Sequence, residues 1–266
     1  MIAEHRTERY DPTLERSWHL SVLLSPDLQA WCVHDRSDGS VVALFADKGE
    51  VLPRDTQLPM RPMSVSFVAL PVISTLVPEN ALVPGSEMAH LRMVHGHLPT
   101  GLLRDEPINA LGARCVYLHD EQAEHKLMSR FPNARPLPLQ AVLVQAALSR
   151  SHAPARAAVV LHRAQKRLDL VIAKDGRLLL SNTFHAVNGE DLLYYTLFAV
   201  EQCGLRPADV DLLRSGTHLQ ESEVELLRRY FPHTAPLAPP TLHSGAPLLE
   251  MSHLWAALTE QFACVS

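Results

Sequence analysis

Two stretches of this chain carry the same order of apolar and polar runs. In the first, Trp18 to Leu24 is apolar apart from His19 and Ser21, and Leu28 to His34 and Val41 to Ala46 follow as further apolar runs. Ser25-Pro26-Asp27 divides the first pair and Arg36-Ser37-Asp38-Gly39 the second. An Asp-Gly step supplies the positive φ angles of a tight hairpin, so three antiparallel strands in a meander are predicted. In the second stretch Ala157 to Leu161, Leu168 to Ala173 and Leu178 to Phe184 repeat the plan, with polar turns at Arg163 to Lys166 and Lys174-Asp175-Gly176-Arg177. The period then changes from that of a strand to that of a helix. Leu192, Leu193, Tyr194, Tyr195, Leu197, Phe198 and Val200 are apolar nearly all round, which predicts a helix packed on more than one side. Asn188 is placed to cap it, Glu190 and Asp191 complement its dipole, and Gly204 ends it. Val210 to Leu213 reads as a fourth strand reached by a helical crossover, hence parallel to the first. Gly216 closes that strand, and Thr217-His218-Leu219-Gln220 has capping-box spacing for a helix running to Tyr230.

A second signal supports the repeat. Arg130-Phe131-Pro132 runs on to Pro136-Leu137, and Tyr230-Phe231-Pro232 runs on to Pro236-Leu237, each ending a charged helical segment. The apolar run before the first such segment is Ala113 to Leu118, which the pattern makes the counterpart of Val210 to Leu213. Strand, strand, strand, helix, strand, helix is the order of the ribonuclease-H-like unit. Two in tandem give an α/β protein in an actin-like ATPase arrangement. The halves are read as residues 1–150 and 151–266, divided at the short polar link from Ser149 to Ala155 that holds Pro154. The first carries a proline-rich insert at about residues 50–97, in which Ser64 to Leu70 reads as a strand. Glu250 to Phe262, with Leu254, Trp255 and Leu258 at helical spacing, reads as a closing helix.

Charge and cysteine usage narrow the partners. A formal charge of −5 with no Lys/Arg cluster argues against nucleic acid or an anionic membrane held by bulk electrostatics. No stretch approaches the length of a membrane span, and Met1 to Arg16 has no apolar signal core. Cys32, Cys115, Cys203 and Cys264 are scattered without a Cys-x-x-Cys pair. They read as thiols of a reducing cytoplasm, and no cysteine metal site is expected.

The second half resembles a bacterial family known only as a domain of unknown function with an actin-like ATPase fold. The residues that carry the resemblance are Leu168-Asp169-Leu170, Asp175-Gly176 and Leu180-Ser181-Asn182-Thr183-Phe184. They continue in Glu190-Asp191-Leu192-Leu193-Tyr194-Tyr195. In the first half the match is thinner, at Thr75-Leu76-Val77-Pro78 and Val116-Tyr117. The resemblance implies the fold and no activity.

Actin-like ATPases hold nucleotide with two glycine-containing hairpin turns, each usually with an aspartate. Backbone N–H groups approach a phosphate closely only where side chains are absent, and the metal needs carboxylate oxygen. Here the corresponding turns are Leu24-Ser25-Pro26-Asp27-Leu28, which has no glycine, and Leu161-His162-Arg163-Ala164-Gln165-Lys166, which has neither glycine nor acid. Ser215-Gly216-Thr217 keeps something of the glycine turn that meets adenosine. Nuclease chemistry lacks an acid in either first strand. His95-Gly96-His97 near His90 falls short of a metal set, and no Gly-x-Ser-x-Gly elbow supports a Ser-His-Asp triad. The reading is therefore a protein without catalytic residues, cofactor or metal, acting as a binding or scaffold module for a protein partner or for itself. The disfavoured alternative is a divergent ATPase or phosphotransferase using the cleft between the halves. It would rest on Asp27, Asp169, Gly216 and Thr217 meeting around one pocket.

Overall fold

In the computed structural model, residues 3–26, 28–47, 58–152, 156–238 and 252–265 are described. They divide into two compact units, Met1–Val142 with Ala257–Ser266, and Leu143–Ala256.

The sheet of the first unit is built from β1 (Ala3–Arg6), β2 (Trp18–Leu24), β3 (Gln29–Asp35), β4 (Val41–Asp47), β5 (Ser64–Ala69) and β9 (Arg135–Pro136), in the order β1-β4-β3-β2-β5-β9. The neighbours β1–β4, β4–β3 and β3–β2 are antiparallel, while β2–β5 and β5–β9 are parallel. β2 is buried along its whole length, as expected of a central strand covered on both faces. A second, antiparallel sheet of β6 (Ile73–Pro78), β7 (Leu102–Ile108) and β8 (Ala113–His119) runs in the order β6-β8-β7. The helix α1 (Glu87–His95) buries Leu91 against Val77, Val116 and Leu118 of that sheet. The helix α2 (Glu121–Arg130) starts at Asp120, whose carboxylate accepts from the amides of Gln122 and Ala123.

The helix α3 (Leu139–Arg150) leads into the second unit. Its sheet consists of β10 (Ala157–Arg163), β11 (Arg167–Lys174), β12 (Arg177–His185), β13 (Val210–Ser215) and β14 (Thr234–Pro236), in the order β12-β11-β10-β13-β14. β10 pairs antiparallel with β11 and parallel with β13, as the crossover predicts. Asp175 and Gly176 both take positive φ at the β11–β12 turn, the geometry an Asp-Gly hairpin requires. The helices are α4 (Gly189–Gln202) and α5 (Glu221–Tyr230). Asn188 caps α4 through the amide of Asp191 at 2.8 Å, and Gly204 follows it at φ +70°.

The two sheets share one order and one set of strand directions, β4-β3-β2-β5-β9 matching β12-β11-β10-β13-β14. The Phe-Pro repeat is the same device in each. Phe131 and Phe231 end their helices by donating their backbone N–H groups to the carbonyls of Leu127 and Leu227, and both rings are buried. Leu137 and Leu237 then donate their amides to the neighbouring strand, at Phe67 and at Arg214, each at 2.8 Å.

Three readings of the sequence are corrected. The counterpart of Val210 to Leu213 is Ser64–Ala69, not Ala113 to Leu118. Ser64–Ala69 is the parallel neighbour of β2, and the segment from Ile73 to His119 intervenes between it and its helix. Adjacency in sequence is thus a poor guide to pairing here. Next, the capping interaction of α5 lies three residues later than Thr217 suggests: the Gln220 amide donates to Glu223 Oε2 at 3.0 Å. Finally, the end of the chain forms short turns rather than one long helix, Ser252–Trp255, α6 (Ala256–Thr259) and Phe262–Cys264. The last ten residues belong with the first sheet. Gln261 donates to the carbonyl of Val22 at 2.9 Å and accepts from Ser66 at 2.8 Å, and the Phe262 ring stacks on His34. Glu250 and part of the Ser149 to Ala155 link lie outside the described residues.

Candidate functional site

The place to look for chemistry in each unit is the carboxyl end of the parallel strands. In the second unit three adjacent strands bring Asp169, His162 and Ser215 into one row: His162 on β10 is paired with Asp169 on β11 and with Ser215 on β13. All three are buried. This has the composition of a hydrolytic triad, and its hydrogen bonds exclude that role. The Ser215 hydroxyl donates to the carbonyl of Leu161 at 3.1 Å, so its oxygen accepts from His162 Nδ1–H at 3.0 Å. A nitrogen already bearing a proton cannot take one from the serine. Burial pushes the His162 pKa down to about 4, so the ring is neutral at pH 7. Asp169 is occupied elsewhere, accepting from Arg167 Nη2 at 2.7 Å and from the Thr183 hydroxyl at 2.6 Å.

Gly216 is glycine for a packing reason. Its φ is +108°, and a Cβ there would lie 2.1 Å from the Arg163 carbonyl oxygen and 2.6 Å from the Arg163 amide nitrogen. Any side chain would collide with the last residue of β10. Its N–H is taken by the carbonyl of His253 at 2.9 Å. Thr217 is exposed, 3.1 Å from its neighbour His218. Asp27 lies outside the described residues.

Arg163 and Glu223 form a feature the sequence reading missed. The Arg163 side chain is buried, donating to the Ala186 carbonyl at 2.7 Å and to Glu223 Oε1 at 3.3 Å, while Glu223 also holds the start of α5. One guanidinium thus ties the end of β10 to the β12–α4 connection and to the first turn of α5. The turn that follows is closed on itself by the Ala164 amide donating to Arg167 at 2.9 Å. In the first unit the equivalent turn is closed by Ser25, whose hydroxyl accepts from the Leu28 amide at 3.0 Å. Among the described residues no three His, Cys, Asp or Glu side chains are grouped to hold a metal ion. His95, from the His-x-His pair, instead meets the Ser74 carbonyl at 2.9 Å.

The residues that carry the family resemblance come together at a different place. β12 is the edge strand of its sheet and nine residues long, with Leu179, Asn182 and Thr183 exposed. Beside it, Phe184 stacks on Tyr195 at 4.7 Å, Tyr195 meets Tyr194 edge-on at 5.3 Å, and Tyr194 stacks on Phe198 at 6.0 Å. Tyr194 is 60% exposed and Phe198 43% exposed, so one side of α4 is open. Asn182 lies within the strand, not at its end, and its side-chain oxygen accepts from the Thr183 amide at 2.9 Å.

The chain belongs to the family described as a protein of unknown function (DUF3822), whose model matches residues 71–234. No curated protein matches it. Among solved structures, a Bacteroides thetaiotaomicron protein with an actin-like ATPase fold and unknown function is similar. It has 16% identity and a TM-score of 0.72, over 85% of this chain and 92% of that one. A PilM-PilN type IV pilus biogenesis complex is similar at 14% identity and a TM-score of 0.54, over 96% of this chain and 100% of that one. The fold is therefore the mixed α/β actin-like fold. No described helix is long and apolar enough to cross a membrane.

Proposed function

We propose that this family member is a non-catalytic binding protein that takes an extended segment of a partner protein onto β12 and the aromatic face of α4. The observation that carries the reading is the place of β12 at the end of its sheet among the described strands. A nine-residue edge strand offers a row of backbone donors and acceptors, which natural proteins usually shorten, charge or cover. Tyr194 and Phe198 stand beside it as exposed anchors, and strand addition joins main-chain pairing with side-chain pockets in this way. A second copy of the chain is the alternative occupant, and size-exclusion chromatography with light scattering distinguishes it.

The absence of phosphoryl chemistry in this reading is supported by what the strand-end residues do. Asp169 is held by Arg167 and Thr183, Gly216 backs onto Arg163, and Arg163 is clamped by Glu223. A nucleotide site built on Asp169, Gly216 and Thr217 would first have to break those contacts. Residence in the cytoplasm is supported by four unpaired thiols, two of them buried.

The test is selection of displayed random peptides on the full chain, followed by titration of the selected sequences. Peptides that bind wild type are expected to lose at least about tenfold in affinity on the Tyr194→Ala/Phe198→Ala variant. Selected peptides indifferent to that variant would remove the proposed surface.

A further inference from the structure

β12 is guarded at two points along its length. Ala173 pairs with Leu178 and Ile172 with Leu180, so Leu179 has no partner in the β11 register and forms a bulge. A bulge bends and twists an edge strand, one of the devices that keep other strands from adding to it. The regular stretch of β12 is therefore Leu180 to His185. Its backbone directions follow from the base of the hairpin. The Ala186 amide donates to the carbonyl of Lys166 at 3.2 Å, so it points to the β11 side. Amides alternate in direction along an extended strand, which turns those of His185 and Thr183 to the other side. There the Thr183 amide donates to Oδ1 of Asn182 at 2.9 Å.

The donor is also fixed in place. The Thr183 hydroxyl donates to Asp169 Oδ1 at 2.6 Å, and Arg167 holds that carboxylate at 2.7 Å. Asn182 shares its face of the strand with Leu180 and Phe184, both partly buried against the core under α4. An apolar residue between them would extend that contact, yet the position holds an exposed side-chain amide whose oxygen covers a backbone donor. Asp169, Asn182 and Thr183, which carry the family resemblance, thus belong to one arrangement. Asp169 anchors the residue that bears the donor, and Asn182 covers it.

We propose that Asn182 gates β12: its side chain holds the Thr183 amide until a backbone carbonyl of an incoming segment displaces it. The inference rests on the partner surface proposed above and names what that surface selects. The segment is short and extended, and it pairs beyond the bulge. It carries apolar side chains at alternate positions, on the side of Leu180, Phe184 and Tyr194. A segment that supplies the carbonyl without those apolar contacts gains too little to displace Asn182.

Two variants move the gate in opposite directions. Asn182→Ala removes the competing acceptor, whereas Asn182→Asp keeps its shape and makes it a stronger, charge-assisted one. The probes are peptides without charged side chains, selected from a displayed library on the full wild-type chain. They are expected to bind Asn182→Ala at least about threefold more tightly than wild type, and Asn182→Asp at least about threefold more weakly. A second measurement needs no peptide. Hydrogen exchange of the Thr183 amide is expected to be at least about threefold faster in Asn182→Ala than in wild type, after correction for the intrinsic effect of the neighbouring side chain. Equal exchange would overturn the gate and leave the partner surface standing. So would peptides that bind wild type, Asn182→Ala and Asn182→Asp alike but lose affinity on Tyr194→Ala/Phe198→Ala. No selected peptide, or selected peptides indifferent to Tyr194→Ala/Phe198→Ala, would remove the surface and the gate with it.

Discussion

The two sheets of this protein share a strand order and differ in how they are finished. In the second unit α4 follows the third strand directly and lies against β11, and Arg163 joins the strand end to the β12–α4 connection and to α5. In the first unit the parallel strand β5 is separated from α2 by a whole antiparallel sheet, and the corresponding face has a cavity beside Trp31. The polar interior differs as well. His19 and His34 are buried near Phe262 in the first unit, with His19 bonded to Ser64 and Ser66, whereas His162 is the buried neutral ring of the second sheet. One strand order thus accommodates two different ways of filling the same positions. The side chains rather than the topology decide what each end can do.

The sharpest contrast is at glycine. Gly216→Val should cost the second unit more than about 4 kcal/mol, because a β-branched side chain must enter both a positive φ and the Arg163 backbone. Gly112→Ala in the first unit, where a Cβ meets nothing within 4 Å, should cost about 1 kcal/mol from the φ of +57° alone. Differential scanning calorimetry of the two variants decides it, and equal losses would show that crowding at Gly216 is relieved easily.

The buried ion pair comes next. Glu223→Ala leaves Arg163 buried without its carboxylate and should destabilise by about 3 kcal/mol. Glu124→Ala in α2 removes the acid beside His119, 2.7 Å away, and beside Arg104. Arg104 is 42% exposed and can turn to water, so the loss should be smaller, about 1–2 kcal/mol. Urea titrations that put Glu124→Ala above Glu223→Ala would reverse the comparison.

Acid should distinguish the units in the same direction as their histidines. Burial lowers His19 to about 3 and His34 to about 4, with His34 and then Arg36 near His19 adding to the effect there, and His162 to about 4. For each ring the folded pKa lies below the unfolded one near 6.5, so the unfolded chain binds more protons between those values. Stability is fully present above about pH 6.5 and falls as the pH drops towards 4. Each ring contributes a slope of at most about 1.4 kcal/mol per pH unit, and burial lowers His5 and His119 of the first unit as well, so the first unit should lose at least about twice as much as the second per unit of pH. Hydrogen exchange at pH 7 and pH 5 measures both at once, and equal loss of protection in β2 and β10 would contradict it. The smallest effect belongs to Tyr194→Ala, which should change thermal stability by less than about 0.5 kcal/mol because the ring is mostly exposed.

Much of the architecture was legible because it rests on local chemistry. The Asp175-Gly176 turn, the Asn188 cap and the two Phe-Pro helix ends each write a backbone requirement into a few adjacent residues. What was not legible depends on distance along the chain. Nothing near Ser64–Ala69 says that it pairs with β2, and its proline-rich flanks read as an insert. Arg163 and Glu223 meet across 60 residues, so neither looks like half of a pair in sequence. Asp169 and Gly216 were singled out for the right kind of reason, acid and glycine near strand ends. Their contacts, with Arg167 and Thr183 and with the Arg163 backbone, belong to the tertiary structure alone.

We propose that this actin-like fold binds partners without binding a nucleoside triphosphate. Calorimetric titration of the full chain with ATP and Mg²⁺ tests it most directly. No heat of binding at micromolar to submillimolar nucleotide is the predicted result, and a one-to-one isotherm with micromolar Kd that disappears in Asp169→Ala would contradict it.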